Sequence, residues 1–393
     1  MAQRTTHRFV ARRATWVRAR RPRTAGLAVI ASIALSLLGT AGSAGTAGAT
    51  KPPFLSQFST VSTVGSTVPV NGDVNPYGIV SVPVSTGILV AGDTLISNFN
   101  ARSNLQGTGT TIVQISPSGS QNVFANIKRA DLPTRCPGGV GLTTALTVLG
   151  DGYVVVGSLP VTEHGTDMAQ AGCLIVLNPM GVPVETWASS QIDGPWDMAM
   201  VQTGHVDELF VTNVLNGTVA AAGQPVDQGT VVRLDINLPA NKPPVLFSTT
   251  TVARGFTEEL NNAALVLGPT GDAVNSAGTL YVADTVNNRI AVVPDATTRT
   301  SPMLGGGTTL TSGGSLNGPL GLTLAPNGDI LTVNGDDANA VETTPSGHQI
   351  DTVQIDPLDS GGDLFGLVVA PGARGVIFVD DGDNTLKLFG PAG

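Results

Sequence analysis

GPLGLTLAPNGDILTVNG, residues 318–335, holds a complete structural unit: a Gly-Pro opening, an apolar run, the turn Pro326-Asn327-Gly328-Asp329, and a second apolar run ending at Asn334. Gly and Asn accept the positive φ of tight hairpin turns, and two short apolar runs across such a turn read as paired strands. Five further segments line up with it: NPYGIVSVPV from Asn75, GGVGLTTALTVLGDGYVVVG from Gly138, GPWDMAMVQTGHVDELFVTN from Gly194, GPTGDAVNSAGTLYVADT from Gly268 and DLFGLVVAPGARGVIFVDD from Asp363. Taking Gly78, Gly141, Asp197, Gly271, Gly321 and Gly366 as equivalent gives spacings of 45 to 74 residues. That spacing suits four-stranded blades with loop insertions.

A third strand is expected after most units, at Thr111 to Ile115, Cys173 to Leu177, Thr230 to Leu234, Arg289 to Val293 and Leu386 to Phe389. The expected architecture is all-β, a single six-bladed β-propeller over residues 50–393, because six stacked blades bury faces that one blade leaves open. The last repeat runs out of chain near Phe389, so the apolar segment Phe54 to Val70 is expected to supply its outer strand and leave no open edge. No sustained helical period competes with this reading.

The pattern resembles the NHL-repeat family of propellers, most visibly in GTLYVADTVNNRIAVVPDA (Gly278 to Ala296) and in the 318–335 unit. The whole chain resembles exported bacterial NHL-type proteins. The resemblance implies the fold; propellers of this kind host ligand binding, protein binding and catalysis alike.

Residues 1–49 read as a signal peptide. Eight arginines (Arg4, Arg8, Arg12, Arg13, Arg18, Arg20, Arg21, Arg23) and no acid precede an apolar stretch from Ala25 to Leu38, followed by the cleavage-like Ala47-Gly48-Ala49. The stretch is shorter than the roughly 20 residues needed to span a bilayer. Arg12-Arg13 raises the twin-arginine route, but Ala14-Thr15-Trp16 matches it poorly and the Sec route is expected. The expected location is the periplasm or the medium.

Removal of the leader leaves 12 basic residues against 29 acidic ones, a net charge near −17. Such a surface argues against nucleic acid and anionic membranes, both of which need a basic face. A small molecule, a glycan or a protein is the expected partner of a monomeric chain. Cys136 and Cys173 fall near one face, and in an oxidising compartment they are expected to bridge.

Candidate site residues follow from propeller order. The loops leading into the innermost strands carry Tyr77, Val140, Trp196, Thr270, Leu320 and Phe365 to the channel mouth. Tyr77, Trp196 and Phe365 there either stack a flat ligand or pack the channel. A polar residue recurs after the second strands, at Asn98, Asn213, Asp284, Asn334 and Asp381, with Ser158 the weak match. Recurrence suits turn-holding rather than catalysis.

The residues that do not repeat are the better functional candidates: Asp197, Asp272, Asp336 and Asp380, with His164 flanked by Glu163 and Asp167. If the four carboxylates converge they suit Ca²⁺, the one cofactor expected. His205 belongs on the opposite face. No nucleophile elbow, phosphate loop or zinc-protease helix occurs. The reading is a ligand- or protein-binding module. The alternative is a Ca²⁺-dependent hydrolase or lyase resembling gluconolactonases or streptogramin lyases. The first blade offers no acid to match the gluconolactonase metal glutamate, and the lyase histidine arrangement is absent.

Overall fold

In the computed structural model, which describes residues 52–161, 169–203, 206–222, 224–356 and 364–392, each repeat opens a separate antiparallel sheet. The innermost strands are Val74–Ser81, Leu142–Val148, Gly194–Thr203, Pro269–Val274, Pro319–Leu324 and Leu364–Val369. Each touches the next, and the sixth touches the first, so the six sheets form a closed ring of blades around a central channel. Five sheets run outward in chain order; the sixth has the order Thr60–Ser66, Thr385–Gly390, Val376–Asp380, Leu364–Val369 from outside to inside. The two chain ends of the ring therefore share one blade.

Its outer strand pairs Thr60 with Gly390 and Ser66 with Thr385. Just ahead of it, a single 3₁₀ turn at Leu55–Gln57 is anchored in blade 5: the Phe54 and Leu55 backbone N–H groups donate to the Glu342 carboxylate at 2.7 and 2.8 Å. Between the blades lie continuous apolar layers. Leu146, Val154, Cys173 and Leu177 of blade 2 meet Leu95, Ile112 and Phe124 of blade 1. Each sheet thus covers a face its neighbour cannot cover alone.

The recurrent glycine owes its place to these neighbours and not to a turn. A Cβ on Gly321 would lie 1.9 Å from the Phe365 carbonyl oxygen of the next blade, and one on Gly366 would lie 2.5 Å from that of Tyr77. Strand register corrects two of the equivalences drawn from sequence. In blade 2, Leu142 pairs with Ser158 and Leu146 with Val156, so the inner strand bulges and Ala145, not Gly141, takes the glycine position. In blade 6, Leu364 pairs with Asp380 as Pro319 pairs with Asn334, so the recurrent polar residue is Asp380 and not Asp381.

The expected disulfide is present. Cys136 and Cys173 are bonded with Cα atoms 5.5 Å apart, tying the loop before blade 2 to that blade's third strand. The leader (1–49), His164 with Glu163 and Asp167, and His205 lie outside the described residues.

Candidate functional site

Around the channel the inner strands present one residue each at the same register: Ile79, Leu146, Met198, Asp272, Leu322 and Leu367. Five of the six are apolar. The carboxyl of Asp272, only 4% exposed, enters this ring with neither oxygen hydrogen-bonded. The ring belongs to a cavity of about 250 Å³, also lined by Thr144, Thr147, Asp197, Ala199, Met200 and Thr323.

Asp197 comes from the glycine position of blade 3. Its Oδ1 accepts the Met198 N–H at 2.9 Å, and its carboxyl also accepts the backbone N–H of Asp272. The two acids are therefore neighbours across the junction of blades 3 and 4.

Burial pushes the Asp197 carboxyl up to about 8, against those two backbone bonds. The Asp272 carboxyl is raised well above its ordinary range by burial and then by the charge of Asp197. Among the described residues no lysine, arginine or histidine lines the cavity to lower either.

One end of the channel is sealed. The Tyr77 ring stacks on Phe365 with centroids 3.7 Å apart and on Phe99 at 4.5 Å, and Trp196 lies 6.2 Å from Phe365. A hairpin covers them. The fourth strand of blade 3, Val245–Asn261, runs past its blade, turns where Asn261 Oδ1 accepts the N–H groups of Ala263 and Ala264, and returns as Leu265–Leu267. The Ala263 carbonyl accepts from the Tyr77 hydroxyl and from Gln106 of blade 1, and the Val266 carbonyl accepts from the Trp196 indole N–H.

The aromatic faces are spent on one another and on this lid. Toward the other end, Val80, Met200, Val274, Leu324 and Val368 are partly exposed, so the cavity opens there. Sequence reading had no account of the hairpin. Its trace was the longest interval between repeats, 74 residues from Asp197 to Gly271, with Asn261-Asn262 inside it.

The four carboxylates expected to converge on Ca²⁺ do not meet. Among the described residues no three acidic, histidine or cysteine side chains gather where a metal could sit. Asp336 lies exposed in the turn after the second strand of blade 5. Asp380 is bonded to the Lys387 ammonium, which also lies 3.1 Å from Asp383 and 3.9 Å from Asp356. The cation at that cluster is the chain's own. Two carboxyls among apolar walls do not match the six to eight oxygens that Ca²⁺ takes.

The recurrent polar residues hold local backbone. Asn98 donates to the Thr67 carbonyl, Asn213 to that of Val211 and Asn334 to that of Ser315, while Asp284 accepts from Asn287 and Arg289. Asp381 lies near Tyr77, whose phenol is raised by burial first and by the Asp381 charge second.

The sequence matches no protein-family profile and no curated protein. Solved structures are similar to it. One is a candidate gluconolactonase at 15% sequence identity, covering 87% of this chain and 99% of that one with a TM-score of 0.53. Another is a glucose dehydrogenase at 14% identity, covering 85% and 100% with a TM-score of 0.52. A third is virginiamycin B lyase from Staphylococcus aureus at 13% identity, covering 85% and 99% with a TM-score of 0.49. At such identities the likeness is one of fold alone.

The acid pair makes stability depend on pH in a definite direction. Each carboxyl holds its proton more firmly folded than unfolded, so its contribution is complete below about pH 4 and is lost as pH rises toward its folded value. Glu258, pushed up to about 7 mainly by burial, acts with the same sign. Denaturant melts at pH 5, 7 and 9 are therefore expected to show falling stability. The slope is on the order of 1.4 kcal/mol per pH unit for each acid protonated only in the fold. The Asp197→Asn/Asp272→Asn double variant is expected to flatten it, and an unchanged slope would remove the pair as its origin.

Proposed function

We propose that this protein is an exported, non-catalytic propeller that binds a small ligand in its central channel through the open end. The observation that carries the reading is Asp272: a carboxyl with both oxygens unpartnered, at a level where the other five blades supply Ile, Leu or Met. A buried acid without partners costs a fold free energy. Groups retained at such a cost cluster at functional sites. The disulfide suits an oxidising compartment. Among the described residues no helix is long and apolar enough to cross a membrane.

The cost itself is measurable. Asp272→Leu, which copies Leu146, Leu322 and Leu367, is expected to stabilise the protein at pH 8 by about 1–3 kcal/mol. Unchanged or lower stability in denaturant titrations would mean that the carboxyl has a partner in solution.

Binding is tested by thermal melting with n-butanol and with n-butylamine at neutral pH. Either should raise the melting temperature of the wild type by mass action, and neither should affect Ala199→Trp, which fills the cavity. No difference between the two proteins would sink the reading.

A second reading, a hydrolase or lyase, draws support from the acid pair, since a carboxyl raised to about 8 can deliver a proton near neutral pH. Among the described residues the cavity lining supplies no serine, cysteine or histidine and no metal ligand set. Turnover of lactone or ester substrates that disappears in Asp197→Asn would establish it instead.

A further inference from the structure

The chemistry of the channel wall narrows the ligand. Asp197 already uses its carboxyl on two backbone N–H groups, whereas Asp272 has only acceptors to offer and nothing in the cavity that donates to them. A guest must bring its own donors to Asp272. The cavity is also lined by Ile79, Leu146, Met198, Leu322 and Leu367, with Thr144, Thr147 and Thr323 among them, so a guest with an apolar body small enough for about 250 Å³ can pack there. A neutral alcohol satisfies one oxygen and leaves the second bare. An inorganic cation finds two carboxyls, and among the described residues no third acidic, histidine or cysteine side chain gathers there to complete a coordination shell. A primary ammonium brings three donors and a compensating charge.

Resting on the channel-binding reading above, we propose that the site is a receptor for short primary alkylammonium ions, the ammonium on Asp272 and the alkyl chain against the apolar ring. Among the described residues, Asp197 and Asp272 are the titratable groups that line this cavity, and Tyr77 with Asp381 beside it lies at the sealed end. Burial raises the Asp272 carboxyl well above its ordinary range, so in the empty site it holds its proton more firmly than a free carboxyl does. Uptake of R–NH₃⁺ ionises it, and the displaced proton leaves to solvent through the open end, so one cation enters for each proton released. Affinity then rises with pH while Asp272 is protonated in the empty protein.

The experiment is isothermal titration calorimetry of the full chain with n-butylammonium chloride, n-butanol and calcium chloride. It is run at pH 6 and pH 8 in buffers of different ionisation enthalpy, with Asp272→Asn alongside. The expected result is butylammonium binding with release of about one proton and an affinity rising by up to about tenfold per pH unit. Asp272→Asn should lose at least about tenfold for butylammonium while binding butanol as before. Should that variant fail to fold, Asp272→Leu serves in its place.

Equal binding of butanol and butylammonium, with Asp272→Asn affecting neither, would overturn the ammonium assignment and leave channel binding intact. Calcium binding without ammonium binding would overturn it in favour of an inorganic cation. Failure of both alkyl probes, together with an Ala199→Trp variant that behaves like the wild type, would remove the channel reading as well.

Discussion

Lys387→Met is expected to lower the stability of the fold by about 3–5 kcal/mol, the usual penalty for removing one partner of a buried ion cluster. The ammonium lies between Asp380 and Asp356, both buried, and the more exposed Asp383. Burial lowers its affinity for a proton, but Asp380 and then Asp383 more than reverse this and hold the ammonium protonated above its ordinary range. Methionine matches its length and keeps the apolar stem packed, so what is lost is the charge. Two buried carboxylates are then left facing each other. Asp380 keeps only the backbone N–H groups of Gly382 and Asp383.

The position magnifies the effect. Lys387 sits on a strand that pairs on one side with Phe378 and on the other with Thr63, and Asp356 follows the outer strand of blade 5. The cluster therefore joins blades 5 and 6 where the ring closes. Denaturant titration of the single variant and of Lys387→Met/Asp380→Asn checks the account. The double variant should recover a substantial part of the loss, because the penalty belongs to the orphaned charge and not to a missing attraction. A single variant within about 1 kcal/mol of wild type would show the cluster to be solvated.

Reduction of the disulfide is the second large effect. The bridge closes an interval of 37 residues, for which loop entropy gives about 3–4 kcal/mol. Both sulfurs are buried among Ile112, Ile127, Leu142 and Ile175. Cys136→Ala/Cys173→Ala is expected to lower the denaturation midpoint accordingly, and the wild type with dithiothreitol should match it. Agreement between those two samples separates the cross-link from packing. Retention of wild-type stability in both would mean that the loop stays ordered when unfolded and that the bridge constrains nothing.

The ring itself was legible because it repeats. Six apolar strand pairs, four of them opened by glycine, are local patterns, and local backbone preferences favour each of them. The same locality misled in blade 2. A glycine at 141 sits in an inviting turn, but the bulge between Leu142 and Leu146 moves the interblade position to Ala145, and only hydrogen-bond register reveals it. Asp380 was misread for the same reason, its role as the recurrent residue passing in sequence to the adjacent Asp381.

The candidate site was half legible. Asp197 and Asp272 stand out as acids where the repeat carries glycine and an apolar residue, and that departure is visible in the chain. Nothing in the chain separates them from Asp336 and Asp380, equally acidic departures that the fold sends elsewhere. Sequence by itself determined the repeated strand pairs, since each follows from residue types a few positions apart, and it pointed to six blades and to a bridge between Cys136 and Cys173. Only the tertiary structure decided which acids meet, which end of the channel is sealed and which cation Asp380 holds. Those depend on distances between residues in different blades, and close packing around a ring sets them.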